Sequence, residues 1–192
     1  QRKRIIIGNA KFMGELNIEI KSMQAKADRM REDGTTAVFV AINGKIAGAM
    51  GIADAVKPTT PEALRALREA GIRIVMLTGD NRITAEAIAK RLGIAEVEAD
   101  VLPEKKTEVV SKLKAQGRVV AMAGDGVNDA PALAAADVGI AMGTGTDVAM
   151  EWAGVTLLRG DLMGIVRARS LSKLVLGNFP TDFFLSFYFY SF

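Results

Sequence analysis

Two short segments carry side chains whose types and spacing suit phosphate and metal chemistry. The segment Thr78-Gly79-Asp80-Asn81 combines a hydroxyl with a carboxylate, and the run from Gly124 to Asp129 holds two carboxylates and an amide. Oxygen ligands in the absence of His and Cys are typical of a hard-cation site, for which Mg²⁺ is the natural metal. The side chains expected at this site are Thr78, Asp80, Asp125 and Asp129.

Glycines and helix starts beside these side chains favour an anion as a second ligand. Gly79, Gly124 and Gly126 have no Cβ, so backbone N–H groups there can approach a phosphate closely. The predicted helix starts at Asn81 and Asp129 offer further N–H groups. Either segment alone is also typical of a tight turn with a helix cap. The second segment is the more specific one, because its three polar side chains cannot all serve as caps.

The composition excludes several other chemistries. The 192 residues contain no Cys and no His, which rules out disulfides, zinc fingers, thiolate nucleophiles and His-based triads within them. The formal net charge is +3, from 25 basic and 22 acidic residues that are scattered along the chain. Nucleic acid is therefore not expected as a partner. Hydrophobic residues make up 49% of the chain, enough to bury a core.

Strands and helices alternate along the chain. RIIIG and TAVFVAI predict strands, and Asn43-Gly44 predicts a hairpin between TAVFVAI and KIAGAMGI. Further on, short apolar strands (IRIVML, RVVAMAG, VGIAM, VTLL) alternate with helical segments, of which GTDVAMEWAG and LMGIVRARSLSKLVLG are the last two. The glycines expected to end the earlier helices are Gly71, Gly93 and Gly117.

This alternation predicts an α/β fold with a doubly wound parallel sheet, from about Ile46 to Leu158. Ligands of such sheets bind beyond the carboxyl ends of the strands. Both polar segments follow apolar strands, so we expect Thr78 and Asp125 at adjacent strand ends.

The end of the chain differs in composition from the rest. Eight of the eleven aromatic residues lie between Phe179 and Phe192, and no charge follows Asp182. The run is too short to cross a bilayer, which takes roughly 20 apolar residues. It indicates either a docking strand or helix end, or, as we expect, the start of a membrane helix that is cut short.

The motifs LTGDN, PEKK and MAGDGVNDAPALAAADVGIAMGTGTDVA resemble the phosphorylation domain of a P-type cation-transporting ATPase, which has the haloacid-dehalogenase-like fold. GIADAVKPTTPEALRALREAGI resembles the hinge that leads into that domain. GTGTDVAMEWAGVTLLRGDLMGI is most similar to the heavy-metal branch and, within it, to copper(I) exporters. IIIGNAKFM resembles the Gly-Asn element of the nucleotide-binding domain of that branch.

The resemblance implies roles for the residues of the Thr78-Gly79-Asp80 segment and for Lys106. Thr78 would bind the phosphoryl group through its hydroxyl and Gly79 through its N–H, while Asp80 would shape the loop and face nucleotide phosphate and Mg²⁺. Lys106 would neutralise charge between an aspartyl-phosphate and the carboxylates. From spacing alone Lys106 could equally be a solvated helix cation, as Lys105 beside it is expected to be.

The same resemblance implies further ligands. Asp125 would ligate Mg²⁺, Asp129 would lie near the metal, and Asn128 would hydrogen-bond phosphoryl oxygens. For the nucleotide, the residues implied are Gly8 and Asn9 of the Gly-Asn element, with Asn9 on the adenosine part of ATP, and Asp54 and Lys57 of the hinge.

Several parts of the family pattern are absent from these 192 residues. They contain no Asp-Lys-Thr-Gly segment with the acceptor Asp, no Thr-Gly-Glu-Ser loop, no His-Pro pair and no Cys-Pro-Cys motif. We therefore expect a fragment that is inactive by itself. Its expected parts are the end of a nucleotide-binding α+β domain (1–48), most of a phosphorylation domain (49–175) and the start of a membrane helix (176–192).

The function expected from the resemblance is ATP-driven export of a heavy-metal cation, Cu⁺, through an aspartyl-phosphate, with this portion on the cytoplasmic side of a membrane. The alternative is a soluble phosphatase of the same superfamily, which needs a nucleophilic Asp after its first strand. Asp33 in EDGTT imitates that Asp, but the polar residues before it indicate the end of a helix; Asp54 follows an apolar strand but lacks a second Asp at Val56. A non-catalytic binding module is a third alternative.

Overall fold

A computed structural model of the protein describes residues 3–53, 55–124, 127–143 and 153–178. The strands are β1 Ile5–Gly8, β2 Thr36–Ile42, β3 Lys45–Ile52, β4 Val75–Leu77, β5 Glu96–Glu98, β6 Ala121–Gly124, β7 Val138–Met142 and β8 Val155–Leu157. The helices are α1 Ala10–Glu15, α2 Lys21–Glu32, α3 Thr60–Glu69, α4 Arg82–Leu92, α5 Pro103–Ala115, α6 Ala130–Ala135 and α7 Met163–Asn178. A 3₁₀ turn, Val127–Asp129, precedes α6.

The described residues form two compact units. The first contains those of 1–56 and 73–109, and the second those of 57–72 and 110–192. The predicted domain division at residues 48 and 175 stays a prediction.

The first unit contains an antiparallel sheet in the order β1-β2-β3. Asn43 and Gly44 both have positive φ, 51° and 79°, as a type I′ turn requires, so the predicted hairpin is confirmed. Because β3 pairs antiparallel with β2, the prediction that the parallel sheet begins near Ile46 is wrong. The two-residue turn returns the chain directly beside β2, and a parallel pairing would need a crossover.

One face of this sheet packs on α1, which was not predicted, and on α2, of which only the end before Asp33 was predicted. Phe39 of β2 and Met13 of α1 are fully buried, and Ala27 of α2 lies in the same cluster. Alternate residues of β2 supply the buried face, as the two-residue period of a strand dictates. This core anchors the end of α2, and with it the turn that leads into β2.

A second, two-stranded sheet in the first unit is parallel. Val75 of β4 lies opposite Glu96 of β5, so both strands point their carboxyl ends the same way. The Arg73 guanidinium binds the Glu96 carboxylate, and these hydrogen bonds raise the pKa of Arg73. β4 is shorter than the predicted strand IRIVML, and β5 was not predicted.

The second unit contains the parallel sheet β6-β7-β8. Met122 and Ile140 are buried in it, and Leu133 of α6 is buried as well. The three strands agree with the predicted RVVAMAG, VGIAM and VTLL. The predicted α/β class with parallel sheets is confirmed, and the parallel strands of the described residues fall into two sheets.

Three helices end just before the glycines that were predicted to end them. Gly93, which caps α4, has φ 67° in the left-handed region, where glycine is favoured. Gly71 and Gly117 follow α3 and α5 with φ 76° and 75°. The predicted helix GTDVAMEWAG and the aromatic tail Phe179–Phe192 lie outside the described residues. Of the helices that are described, none has both the length and the apolar character needed to cross a membrane.

Candidate phosphate-binding site

The phosphate loop, Thr78-Gly79-Asp80, begins where β4 ends. Two hydrogen bonds join Thr78 and Asp80. The Thr78 hydroxyl donates to Asp80 Oδ2 at 3.1 Å, and the Asp80 N–H donates to Thr78 Oγ1 at 3.1 Å. Both residues are half-buried. These two hydrogen bonds fix the orientation of the Thr78 hydroxyl relative to the Asp80 carboxylate.

The backbone from the end of β5 to Val101 forms hydrogen bonds with the phosphate loop. The Thr78 N–H donates to Glu98 O at 2.9 Å, the Val101 N–H to Thr78 O at 3.1 Å, and the Asp100 N–H to Asp80 O at 2.9 Å. A Cβ at Gly79 would lie 3.4 Å from Val101 O, which is ordinary contact. The loop therefore depends on the β4–β5 pairing, whose strand β5 was missing from the sequence analysis.

Backbone N–H groups in the first turn of α4 already donate hydrogen bonds to side chains of this protein. Asn81 accepts from the Ile83 N–H at 3.0 Å, as an N-cap residue does. The Asp100 carboxylate accepts from the Arg82 N–H at 3.2 Å. Two of the N–H groups that the sequence suggested for phosphate are thus already hydrogen-bonded. Asp100 was missed because only the fold brings it next to Arg82.

The two lysines of the PEKK segment differ in burial. Lys106 lies in the first turns of α5 and is half-buried, whereas Lys105 is exposed. Spacing alone did not distinguish them. The partial burial of Lys106 is consistent with the role that the resemblance implies for it, and that role stays a prediction.

In the second unit, Asp129 lies against the end of β6. The residue is 7% exposed, and a Cβ placed on Gly124 would come within 2.7 Å of Asp129 Cβ and Oδ2. Gly124 is thus required so that this carboxylate can pack on the backbone. Asn128 is exposed on the 3₁₀ turn. Asp125 lies outside the described residues, so its predicted position at a strand end is not described.

The Gly-Asn element has a clear local structure. Asn9 caps α1 by accepting from the Phe12 N–H at 2.9 Å. A Cβ on Gly8 would lie 2.4 Å from the Phe12 ring, so glycine is needed there for the ring to pack. These contacts account for both residues structurally. Their predicted contact with nucleotide stays a prediction.

The hinge residue Lys57 is held by backbone oxygens in the second unit. Its Nζ donates to Gly160 O at 2.6 Å and to Arg159 O at 3.0 Å, both just beyond β8. Two residues on, Thr59 donates to Asp161 Oδ1 at 2.8 Å. The predicted role of Lys57 in nucleotide binding stays a prediction, and Asp54 lies outside the described residues.

Asp161 was not singled out in the sequence, although an Asp two residues before a helix is a recognisable capping signal. It accepts from the Met163 N–H at 3.0 Å at the start of α7. This bond, then the Thr59 hydroxyl, and then the charge of Lys57 lower the pKa of Asp161. The hinge is therefore fastened to the start of α7 by an ionised carboxylate.

The donors suit Mg²⁺ in type, since Thr78, Asp80 and the buried Asp129 offer only oxygen. Among the residues that the structure describes, no three acidic, His or Cys side chains are grouped to hold a metal ion. Asp80 belongs to the first unit and Asp129 to the second. Their assembly into one site therefore stays a prediction.

The fold and these motifs agree with a family model. The model of the haloacid dehalogenase-like hydrolases matches residues 1–137, and the chain belongs to this family.

Within the family, the chain is similar to metal-transporting P-type ATPases. It is 62% identical over 185 residues to a silver exporting P-type ATPase of Salmonella typhimurium, covering 96% of this chain and 22% of that protein. It is 54% identical to a copper-transporting P-type ATPase of Rhizobium leguminosarum bv. viciae, covering 91% of this chain and 21% of that protein. The chain thus spans about a fifth of the length of these curated relatives.

Solved structures show the same likeness. A crystal structure of a zinc-transporting PIB-type ATPase has a TM-score of 0.66 and 36% identity, covering 92% of this chain and 28% of that one. The catalytic CPx-ATPase domain CopB-B has a TM-score of 0.59 and 36% identity, covering 68% of this chain and 53% of that one.

Proposed function

We propose that this chain is catalytic machinery of a P-type ATPase that exports Cu⁺, driven by ATP through an aspartyl-phosphate. The observation that carries the proposal is the 62% identity over 185 residues to a silver exporting P-type ATPase. Cu⁺ and Ag⁺ share charge and ligand softness, and both prefer thiolates and thioethers. The proposal commits to Cu⁺ and to a position on the cytoplasmic side of a membrane.

In this proposal the phosphate loop receives the phosphoryl group. Thr78 Oγ1 and the Gly79 N–H bind its oxygens, and Asp80 keeps the hydroxyl oriented through the 3.1 Å contact of the free loop. Lys106 and Asn128 place positive charge and an amide donor near the transferred group. Fixed donors stabilise charge as it develops on a transferring phosphoryl group, which is the main task of such sites.

ATP and Mg²⁺ are the cofactors proposed. Asp125 and Asp129 would hold Mg²⁺, whose chemistry there is neutralisation of phosphate charge. Gly8 and Asn9 would bind the nucleotide, with Asn9 on the adenosine part of ATP, and the hinge residues Asp54 and Lys57 would bind it as well. The proposed domains are 1–48 and 49–175, followed by the start of a membrane helix.

A chimera tests the function. The aligned segment of the Salmonella silver exporter is replaced by this chain, and resistance of a silver- and copper-sensitive strain is measured. We expect the chimera to restore resistance and its Thr78→Val variant to lose it, whereas Thr78→Ser retains the hydroxyl and most of the resistance. A chimera that reaches the membrane but leaves cells sensitive contradicts the proposal.

Phosphorylation of the chain by itself gives an independent test. Since these 192 residues hold no Asp-Lys-Thr-Gly segment, we expect no acid-stable, hydroxylamine-sensitive label from labelled ATP and Mg²⁺. Stoichiometric labelling would contradict the assignment and direct attention to Asp54. Turnover of p-nitrophenyl phosphate would instead support the soluble phosphatase.

A further inference from the structure

A tight turn between α2 and β2, Asp33-Gly34-Thr35, leads into Thr36, the first residue of β2, and lies in the same compact unit as the phosphate loop. Asp33 ends α2, donating its N–H to Arg29 O at 3.2 Å. Gly34 follows with φ +73°, a left-handed conformation that other residues rarely adopt. The segment that imitates a nucleophile motif in the sequence is therefore a helix-end turn.

Two residues of α4 hold the backbone of this turn. Arg91 donates from Nη2 to Asp33 O at 2.9 Å. Thr84, which is 1% exposed, donates from Oγ1 to Thr35 O at 3.3 Å. A Cβ on Gly34 would lie 1.8 Å from Arg91 Nη2, so glycine is also what lets the arginine reach the turn.

Thr36, which directly follows the turn, contacts the phosphate loop itself. Thr36 donates from Oγ1 to Asp80 Oδ1 at 3.2 Å, while Asp80 Oδ2 accepts from Thr78. The two oxygens of one carboxylate thus join the turn to the loop. A carboxylate held at both oxygens has a fixed side-chain torsion, and it passes that orientation to the Thr78 hydroxyl.

We propose that Thr36 is a positioning residue for the phosphate loop: its hydroxyl, anchored through the turn on α4, sets the orientation of Asp80 and through it that of Thr78. The resting geometry of the loop then depends on the docking of the β1–β3 sheet. The positioning itself is a property of the described contacts, and its value for phosphoryl transfer rests on the proposed function.

Amide hydrogen exchange in the full chain, followed by NMR without ligand, tests the positioning. The reporters are the N–H groups of Asp80 and Asp100, which close the loop. We expect Thr36→Val to speed exchange at both by about three- to tenfold, the range for loss of one hydrogen bond. Thr36→Ser, which keeps the hydroxyl, should restore rates to within about twofold of the parent.

The matched control is Thr35→Val, which makes the same chemical change one residue away and keeps the Thr36 hydroxyl. It should leave both rates unchanged. Unchanged exchange at Asp80 in Thr36→Val, failure of Thr36→Ser to restore it, or an equal rise throughout α2 and β2 would each overturn the proposal. The last outcome would mark a general loss of stability.

Titration of the same samples with Mg²⁺ and ATP separates the two proposals. We expect weaker binding to Thr36→Val than to the parent chain, by a factor similar to the change in exchange. If the parent chain shows no binding while the exchange results hold, the proposed function fails and the positioning role stands.

Discussion

The carboxylate of Asp129 packs closely against the backbone of Gly124. The side chain is buried against the Cα of Gly124, at a distance that leaves no room for a methyl group. Gly124 does not have a left-handed φ, so glycine is needed there because the Asp129 side chain approaches its Cα closely. The same contact keeps the carboxylate beside the end of β6, where the second polar segment begins.

We expect Gly124→Ala to lower the free energy of unfolding by about 1–3 kcal/mol, the usual cost of overpacking. Urea denaturation measures it. Gly154→Ala is the control in the same unit, because among the residues that the structure describes a Cβ there would meet only Gly139 O, at 4.0 Å. A loss in Gly124→Ala no larger than in Gly154→Ala would contradict the packing argument.

At the scale of elements, Asp137 links α5 to the β6–β7 region. Asp137 accepts from the Val120 N–H at 2.8 Å and pairs with Lys114 of α5 at 3.0 Å. The Val120 N–H, followed by Lys114, lowers the pKa of Asp137. Lys114 also donates to Ala135 O at 3.0 Å, which ties the end of α6 to the same lysine.

This lowered pKa predicts a pH-dependent stability. The carboxylate is favoured in the folded state, so its contribution is complete above the ordinary Asp value of about 3.9 and is lost as the pH falls through the folded value. The stability difference between the parent and Asp137→Asn should therefore be largest near neutral pH and shrink in acid. Urea denaturation between neutral and acid pH checks this.

Salt provides the control for this measurement. High salt screens the exposed pair with Lys114 but leaves the hydrogen bond from Val120 in place. The difference should accordingly fall in part with salt and should not vanish. A difference between parent and variant that does not change with pH would contradict the role assigned to Asp137.

For the chain as a whole, we expect the aromatic tail to lower its solubility in water. Phe179–Phe192 lies outside the described residues, and its assignment as the start of a membrane helix is a prediction. An uncharged run with Tyr188 and Tyr190 suits the lipid–water interface, where amphipathic rings concentrate. In water, such a run is an aggregation liability.

A polypeptide ending at Gly177 should be more soluble than the full chain and should melt at the same temperature. Light scattering and thermal denaturation measure the two quantities. A melting temperature lower by several degrees, equivalent to about 1 kcal/mol or more, would assign the tail to the core instead.

Features that depend on local chemistry could be predicted from the order of the residues alone. Asn43-Gly44 predicted the hairpin because both residues tolerate positive φ, and Gly93 predicted the end of α4 for the same reason. Strands such as Val138–Met142 were predicted from continuous apolar residues, which is what burial on both faces requires. The motif at Thr78–Asp80 was evident because a hydroxyl and a carboxylate follow such a strand.

Which distant residues surround that motif follows from the fold and could not be predicted from local patterns. Asp100 reaches the start of α4 and Thr36 reaches Asp80 across 44 positions of sequence, and no local pattern marks either one. The partial burial that distinguishes Lys106 from Lys105 is likewise a result of packing. These contacts depend on how separate elements dock, and docking is set by summed side-chain packing, which the periodicity of any single segment does not contain.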